Sequence, residues 1–386
     1  MTTRPPRTRE AVALTSDDAP AQRASEAGTA RYRDRFASRF ALEFFRAGPL
    51  DTTVSSIGIG TYLGEPTATD DAAYADSVEH AARSGVNLID TALNYRGQRS
   101  ERAVGAALRR LTASGEGGGA VSRDEIVLCS KGGYIPLDGE PPASRDEYRA
   151  YVKREFIDTE ILRPAEIVAG GPSLAPRFIK FCLAKSRQNL GVRCIDVYYL
   201  HNPEQQASTV GRDELRARIR SAFLILEDAA TRGEIGVYGC ATWNGLRSSP
   251  DAADHLELEE LVGLARDAAG KDHHFRAVQM PISLAMPEAI RAPTQTVRGA
   301  ALPAAEAATA LDLMVVSSAT LMQGKLTTGL PPAVADAFPA LETDAQRSIA
   351  FVRSIPGVTA ALVGMKRPEH VDENLRAGAS CPRARP

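Results

Sequence analysis

From about residue 50 onward the chain repeats one unit, a short and almost wholly apolar run followed by an amphipathic stretch. Residues 54–60, 86–90, 125–130, 194–200, 235–240, 275–280, 313–317 and 359–364 read as strands. Residues 71–84, 100–111, 177–190, 214–232, 256–269, 304–310, 345–354 and 368–376 read as the helices that follow them. Four of these helices run into Gly85, Gly191, Gly233 and Gly270, the residue type that most easily takes the left-handed conformation closing a helix. Strands that are apolar along their whole length are buried on both faces, as parallel strands flanked by helices must be. Eight such repeats predict an α/β fold, a (β/α)₈ TIM barrel, since these barrels run from roughly 200 to over 400 residues. An open doubly wound sheet is the competing architecture. It would normally carry a G-x-G-x-x-G turn after its first strand, and this chain has none there.

Composition narrows the class. The chain has 386 residues, 44% hydrophobic and 24% charged, with a formal net charge of −2. That balance gives no pull toward nucleic acid or an anionic membrane surface. No apolar run reaches the roughly 18–20 residues needed to cross a bilayer. The N-terminus lacks the apolar stretch of a secretory signal. The five cysteines, Cys129, Cys182, Cys194, Cys240 and Cys381, are scattered with no C-x-x-C pair, so they read as reduced thiols of a cytoplasmic protein.

Two segments fall outside the repeat. Residues 1–46 read as an N-terminal extension, partly disordered, in which the stretch from Tyr32 to Phe45, with Phe36, Phe40 and Phe44, is spaced to dock as a short helix. Residues 47–386 form the barrel. After its third strand a 132–176 insertion, with a helix expected around residues 145–154, is too long for an ordinary connection. It leaves the end of the barrel where active sites sit, so it is a candidate lid or substrate wall. Gly117-Gly118-Gly119 reads as a loop on the opposite face.

Catalytic residues in such barrels come from the C-terminal ends of several strands. Here the second strand ends in Asp90, with Tyr95 five residues on. The third ends at Lys131 and the fourth at His201. Taken singly, each has an ordinary explanation as a cap, a surface cation or a packed aromatic. Together they place an acid, a phenol, an ammonium and an imidazole at one mouth. Reducing a carbonyl needs hydride at carbon and a proton at oxygen. Tyr95 can act as the acid, with Lys131 expected to lower its pKa and Asp90 to balance the lysine. His201 can donate to the carbonyl oxygen.

These residues, together with Gly58-Ile59-Gly60-Thr61, the run from Asp90 to Tyr95, Ser100-Glu101, Val104-Gly105, the run from Asp196 to His201, Gln279, Gln323-Gly324-Lys325-Leu326 and the run from Gly364 to Asn374, resemble the aldo-keto reductase family. The segments keep their order over about residues 55–375. The resemblance implies an NADPH-dependent oxidoreductase that reduces an aldehyde or ketone, with Asp90, Tyr95, Lys131 and His201 as its catalytic tetrad. It also implies a cofactor site at Thr61, Thr242, Gln279, Ser318, Leu321, Gly324, Lys325, Gly364, Lys366, Arg367, His370 and Asn374. In that site Gln279 and Thr242 would meet the carboxamide, residues 318–325 the pyrophosphate, and His370 and Asn374 the adenine end.

The turn at Gly364-Met365-Lys366-Arg367-Pro368 opens the last helix. A helix N-terminus attracts a phosphate, and Lys366 and Arg367 are placed to pair with a 2′-phosphate, unless they form a merely solvated basic turn. The chain departs from the family at Gly239-Cys240-Ala241-Thr242, where Gly-x-Ser-Asn is usual, at Met280-Pro281-Ile282-Ser283, where an aromatic-Asn pair is common, and at Ala319, where serine is usual. It ends soon after Asn374, so the insertion is expected to supply the pocket wall that a C-terminal tail often gives. Trp243 reads as a pocket residue or a packing one. The departures keep a second reading open, a cofactor-binding regulatory protein of the same fold with little turnover. A lyase using Lys131 as a Schiff base is a third. No metal site is expected, since His273-His274 has no carboxylates at ligand spacing. The partner expected is a small carbonyl substrate.

Overall fold

The computed structural model describes residues 22–113, 121–168 and 170–379. An antiparallel hairpin of β1 (Phe45–Ala47) and β2 (Thr53–Ser55) comes first. The barrel strands β3 (Ile57–Gly60), β4 (Leu88–Asp90), β5 (Val127–Gly132), β6 (Ile195–His201), β7 (Ile235–Ala241) and β8 (Phe275–Pro281) follow. A second hairpin, β9 (Gln295–Val297) and β10 (Ala300–Leu302), precedes the last two barrel strands, β11 (Met314–Ser318) and β12 (Val358–Gly364). Each barrel strand pairs in parallel with its neighbours, and β8 to β11 and β12 to β3 complete a closed ring. The chain is therefore an eight-stranded parallel barrel ringed by helices.

The helices are α1 (Glu26–Phe36), α2 (Ala68–Ser84), α3 (Arg99–Thr112), α4 (Arg145–Val152), α5 (Pro176–Leu190), α6 (Arg212–Thr231), α7 (Leu258–Ala269), α8 (Glu288–Arg291), α9 (Ala304–Ala310), α10 (Pro332–Ala337), α11 (Asp344–Ser354) and α12 (Pro368–Ala379). Gly85 closes α2 at φ 114°, a conformation that side-chain-bearing residues avoid.

The strands explain the site. Successive residues of a strand face opposite sides. One set, including Ile59, Ile89, Leu128, Tyr198 and Val278, packs outward under the helices. The other set, Leu88, Val127, Cys129, Val197, Tyr199, Val237, Ala277, Met314, Val316 and Leu362, fills the barrel interior. Continuing this second set by one inward step brings Asp90, Lys131, His201 and Gln279 to the C-terminal mouth. The alternation that builds the apolar interior also aims these four polar side chains at one point.

The N-terminal end of the barrel is closed by the segment preceding it. A docking helix exists, but it runs from Glu26 to Phe36 and leaves Phe40 and Phe44 of the expected stretch in the turns beyond it. Its start is set by its cap, since Ser25 accepts from the Gly28 N–H at 3.0 Å. Tyr32 is fully buried and donates to the Ala82 carbonyl at 2.5 Å. Arg31 and Arg35 pair with Asp124 and Glu125 at 2.8 and 2.7 Å. Ala24 and Val54 join the interior apolar cluster. Residues 22–46 are thus ordered against the barrel, and β1 carries the extension across the boundary placed at residue 46. The disorder expected for residues 1–21 lies outside the described residues, as do Gly117-Gly118-Gly119 and Cys381. The other four cysteines are free and buried.

Candidate active site

Lys131 is fully buried at the mouth, and its ammonium has two acceptors. It donates to Asp90 Oδ1 at 2.5 Å and to the Thr91 carbonyl at 2.9 Å. The second oxygen of Asp90 accepts from Gln279 Nε2 at 2.9 Å. Burial disfavours the charge on Lys131, but Asp90 and the Tyr95 hydroxyl outweigh it, and the net shift is upward. The amine therefore stays protonated, which removes the lone pair a Schiff-base lysine needs.

Tyr95 stands over this pair, with Lys131 Nζ 4.9 Å from its ring centre. The expected downward shift of its pKa is corrected by the structure. Burial raises the phenol by more than Lys131 lowers it, so its net shift is upward. Desolvation of a phenolate at this depth exceeds the attraction of an ammonium already shared with Asp90. His201 is buried, and burial, helped by the nearby Lys131 charge, pushes its pKa well below the usual imidazole value. Its Nδ1 is buried without a hydrogen-bond partner among the described residues. The His201 ring meets Tyr95 edge-on at 5.7 Å between centres.

Two further aromatic residues complete the wall. Tyr62 packs edge-on against Tyr95 at 4.9 Å and is 55% exposed. Tyr134, from the insertion, packs against His201 at 4.9 Å. Its hydroxyl accepts from Asn202 Nδ2 at 3.0 Å and donates to Gln205 Oε1 at 2.5 Å. Sequence reasoning passed over both, although Tyr62 directly follows the Gly58–Thr61 segment and Tyr134 stands three residues past Lys131. Trp243 is 43% exposed just beyond β7.

The insertion also clasps the Tyr95 turn. Arg96, Gly97 and Gln98 all lie in the left-handed region, a strained run for the two that bear side chains. Gln98 donates to the Leu137 carbonyl at 3.1 Å, and Arg102 grips Asp138 through two bonds of 2.8 Å. Phe156 and Leu162 bury Leu93 between them and α5.

The residues expected around a cofactor lie along adjacent strand ends, from β7 through β8 and β11 to β12. Thr242 is buried, and its hydroxyl has no hydrogen-bond partner among the described residues. Thr61 is buried and instead donates to the Asp90 carbonyl at 3.1 Å and accepts from Ser100 at 2.6 Å. Gln279 is engaged by Asp90, so its amide nitrogen serves the tetrad before any carboxamide. Ser318 ends β11 half-buried, and Leu321 lies beside it. Ala319, Met322 and Gln323 take positive φ values of 55°, 47° and 57° in the loop that follows, ahead of Gly324 and the exposed Lys325. Gly364 is exposed where β12 meets α12, and Asn374 is buried on that helix. A strained loop beside a helix N-terminus and an orphaned hydroxyl suit a dinucleotide. The basic turn departs from expectation. Lys366 is paired with both oxygens of Asp70, at 3.0 and 3.1 Å, and Arg367 contacts His370 Nε2 at 2.5 Å.

Elsewhere, His274 Nδ1 meets Glu227 at 2.6 Å and His273 contacts Arg276, so the two histidines face different partners. Among the described residues, no helix is long and apolar enough to cross a membrane.

The pattern of the Aldo/keto reductase family matches residues 56–265. An NADH-specific methylglyoxal reductase from Escherichia coli is 29% identical over 159 residues, 40% of this chain and 40% of that protein. A D-threo-aldose 1-dehydrogenase from a Pseudomonas species is 28% identical over 173 residues, 44% of each. The match thus spans less than half the length of both relatives. Among solved structures, an aldo/keto reductase from Klebsiella pneumoniae in complex with NADP and acetate aligns over 87% of this chain and 90% of its own, with TM-score 0.55 and 19% identity. A holo-form aldo-keto reductase from Bacillus halodurans aligns over 88% and 92%, with TM-score 0.56 and 17% identity. These two share the fold. With the family pattern covering more than half of the sequence, the chain belongs to the aldo/keto reductase family.

Proposed function

We propose that this protein is an NADPH-dependent oxidoreductase that reduces an aldehyde or ketone to an alcohol. The observation that carries the reading is the phenol of Tyr95 standing over a buried, ionised Lys131–Asp90 pair at the barrel mouth. When bound, the nicotinamide supplies hydride to the carbonyl carbon. Tyr95 gives its proton to the carbonyl oxygen, and its raised pKa keeps that proton in place until the oxygen gains charge. Lys131, held cationic by Asp90, stabilises the phenolate left behind. Gln279 fixes the Asp90 carboxylate from the other side. His201 is held neutral, so it offers a hydrogen bond to the same oxygen without competing as an acid. Tyr62 and Tyr134, packed on Tyr95 and His201, give the approach an aromatic surface that sheds water.

Thr242, the loop from Ser318 to Lys325, and the turn from Gly364 to Arg367 would hold the dinucleotide, with its phosphates at the N-terminus of α12. The names of the two relatives, a methylglyoxal reductase and an aldose dehydrogenase, support small carbonyl compounds as the substrate class. The test is to mix the purified protein with NADPH and a panel of aldehydes and ketones and follow loss of the reduced nicotinamide. Turnover that disappears in Tyr95→Phe while NADPH still binds supports the roles given. A protein that binds no reduced dinucleotide would overturn them.

A further inference from the structure

The basic turn before α12 does not hold its lysine free. Asp70, in the first turn of α2, takes the Lys366 ammonium on both carboxylate oxygens, at 3.0 and 3.1 Å. Asp70 is the fixed member of the pair. Its side chain is 13% exposed against 40% for Lys366. Its Oδ2 also accepts from the Glu65 N–H at 2.7 Å, and a Cβ at Gly64 would lie only 2.5 Å from that oxygen. The neighbouring carboxylate, Asp71, is engaged by Arg96 and Arg99, each at 2.7 Å, so it does not compete for the lysine.

We propose that Asp70 is a specificity-determining residue for the cofactor, which sets aside Lys366 and so limits the preference for NADPH over NADH. This rests on the reading above, in which the turn at Lys366 and Arg367 receives the 2′-phosphate end of the dinucleotide. A 2′-phosphate reaching Lys366 meets a cation and a rigid anion together, so that pair brings no net charge and Arg367 alone is left to attract it. A ribose 2′-hydroxyl meets no such conflict, because a carboxylate is an acceptor for that hydroxyl, the arrangement by which other dinucleotide folds favour NADH.

The charge argument orders four proteins. Asp70→Asn leaves Lys366 unopposed and keeps an oxygen for the Glu65 N–H. Lys366→Met leaves Asp70 unopposed. The double variant is again neutral at this point, as the wild type is. Dissociation constants for NADPH and NADH are measured by quenching of Trp243, the single tryptophan of the chain, and by nicotinamide fluorescence, with no carbonyl substrate present. Asp70→Asn is expected to shift the ratio toward NADPH by about two- to fivefold, as for a solvent-screened pair. Lys366→Met should shift it toward NADH by a similar factor, and the double variant should return near the wild type. The shifts should shrink as salt is raised.

A ratio that Asp70→Asn leaves unchanged overturns the proposal. So does a double variant that behaves as Lys366→Met alone. Should Asp70→Asn fail to fold, Lys366→Met decides: with NADH binding retained and no shift in the ratio, Lys366 lies outside the phosphate's reach and the proposal falls. Failure of the wild type to bind either dinucleotide is a separate outcome, which removes the reductase reading itself.

Discussion

At the N-terminal end of the barrel, Asp196 accepts from the Ala24 N–H at 2.6 Å, the Leu128 N–H at 2.8 Å and Arg123 at 2.7 Å. Asn87 there uses both ends of its amide, accepting from the Ser55 N–H and donating to the Thr53 and Glu125 carbonyls. At the C-terminal end of the same strands, His201 Nδ1, Thr242 Oγ1, Ser283 Oγ and Glu204 Oε2 are buried without a partner among the described residues. A buried polar atom left unpaired costs about 1–3 kcal/mol. The lower end has such an atom too, Arg123 Nε, but four of them gathered at the upper end suit a site that a ligand would complete. The contrast separates stability, concentrated below, from chemistry, concentrated above.

The sharpest break of the contrast is at Tyr95. Tyr95→Phe removes one hydroxyl at the upper end, where Lys131 keeps Asp90 and the Thr91 carbonyl as acceptors. Turnover is expected to fall by about 10²–10⁴-fold, the contribution of a positioned proton donor, with the thermal midpoint nearly unmoved. Steady-state kinetics and a melting curve on the same sample read both. At the lower end the pattern inverts. Tyr32→Ala deletes a fully buried ring and its bond to the Ala82 carbonyl. It should cost about 3–5 kcal/mol in denaturant unfolding, with KM and kcat near the wild type. If turnover collapsed in step with stability, the extension would be acting on the mouth and the division would fail.

The upper site was legible because it obeys periodicity. Asp90, Lys131 and His201 were placed correctly at strand ends, since the inward alternation of apolar residues runs straight into them. The strand and helix order was readable for the same reason. What stayed hidden depends on contacts between distant segments. That Asp70 would take Lys366, 296 positions away, has no local signal. Nor has the engagement of Gln279 by Asp90. Tyr95 was expected to be acidified because charge can be read from sequence, whereas the depth that outweighs it cannot. The first strand was read as one run over 54–60, but the chain turns at Ser56, whose N–H donates to the Phe44 carbonyl at 2.7 Å, and the run divides into β2 and β3. The extension was read as partly disordered because it shows no apolar period before Phe36. It is held instead by arginines reaching Asp124 and Glu125.

A smaller effect tests the lower end by charge. Asp196 lies within a stretch that matches the family, yet its bonds place it among the supports of the closed end. Asp196→Ala strands Arg123 and two backbone N–H groups, and should destabilise by about 2–4 kcal/mol. Arg123 keeps its bonds to the Ile126 and Cys194 carbonyls, which limits the loss. Cofactor dissociation constants should not move. A change in NADPH binding would mean that strain is carried along β6 from Asp196 to His201.

Glu204 gives the finest test, because it belongs to the upper end and yet bears on stability. Its Oε1 accepts from the Trp243 and Asn244 N–H groups at 2.6 and 3.2 Å, while its Oε2 is buried and unpaired. Burial, only partly offset by these backbone bonds, pushes its carboxyl up to about 7 from an ordinary 4.5. A raised acid binds its proton more tightly in the folded chain than in the unfolded one. Its stabilising contribution is therefore complete below the unfolded value and is lost as pH rises through the folded one. Between pH 4.5 and about 7 the wild type should lose stability relative to Glu204→Gln, by at most about 3 kcal/mol at 1.36 kcal/mol per unit. The glutamine keeps an acceptor for the Trp243 N–H and does not ionise. Denaturant midpoints of the two proteins, taken at intervals across that window, read the difference. Trp243 emission should follow the same transition in the wild type alone, since the loop it starts is anchored on the titrating oxygen. A difference that stays flat would show that Glu204 is already ionised at the low end of the window. The carboxylate would then draw enough from its backbone donors to stand without a ligand, and the upper end would be closer in character to the lower than its unpaired atoms imply.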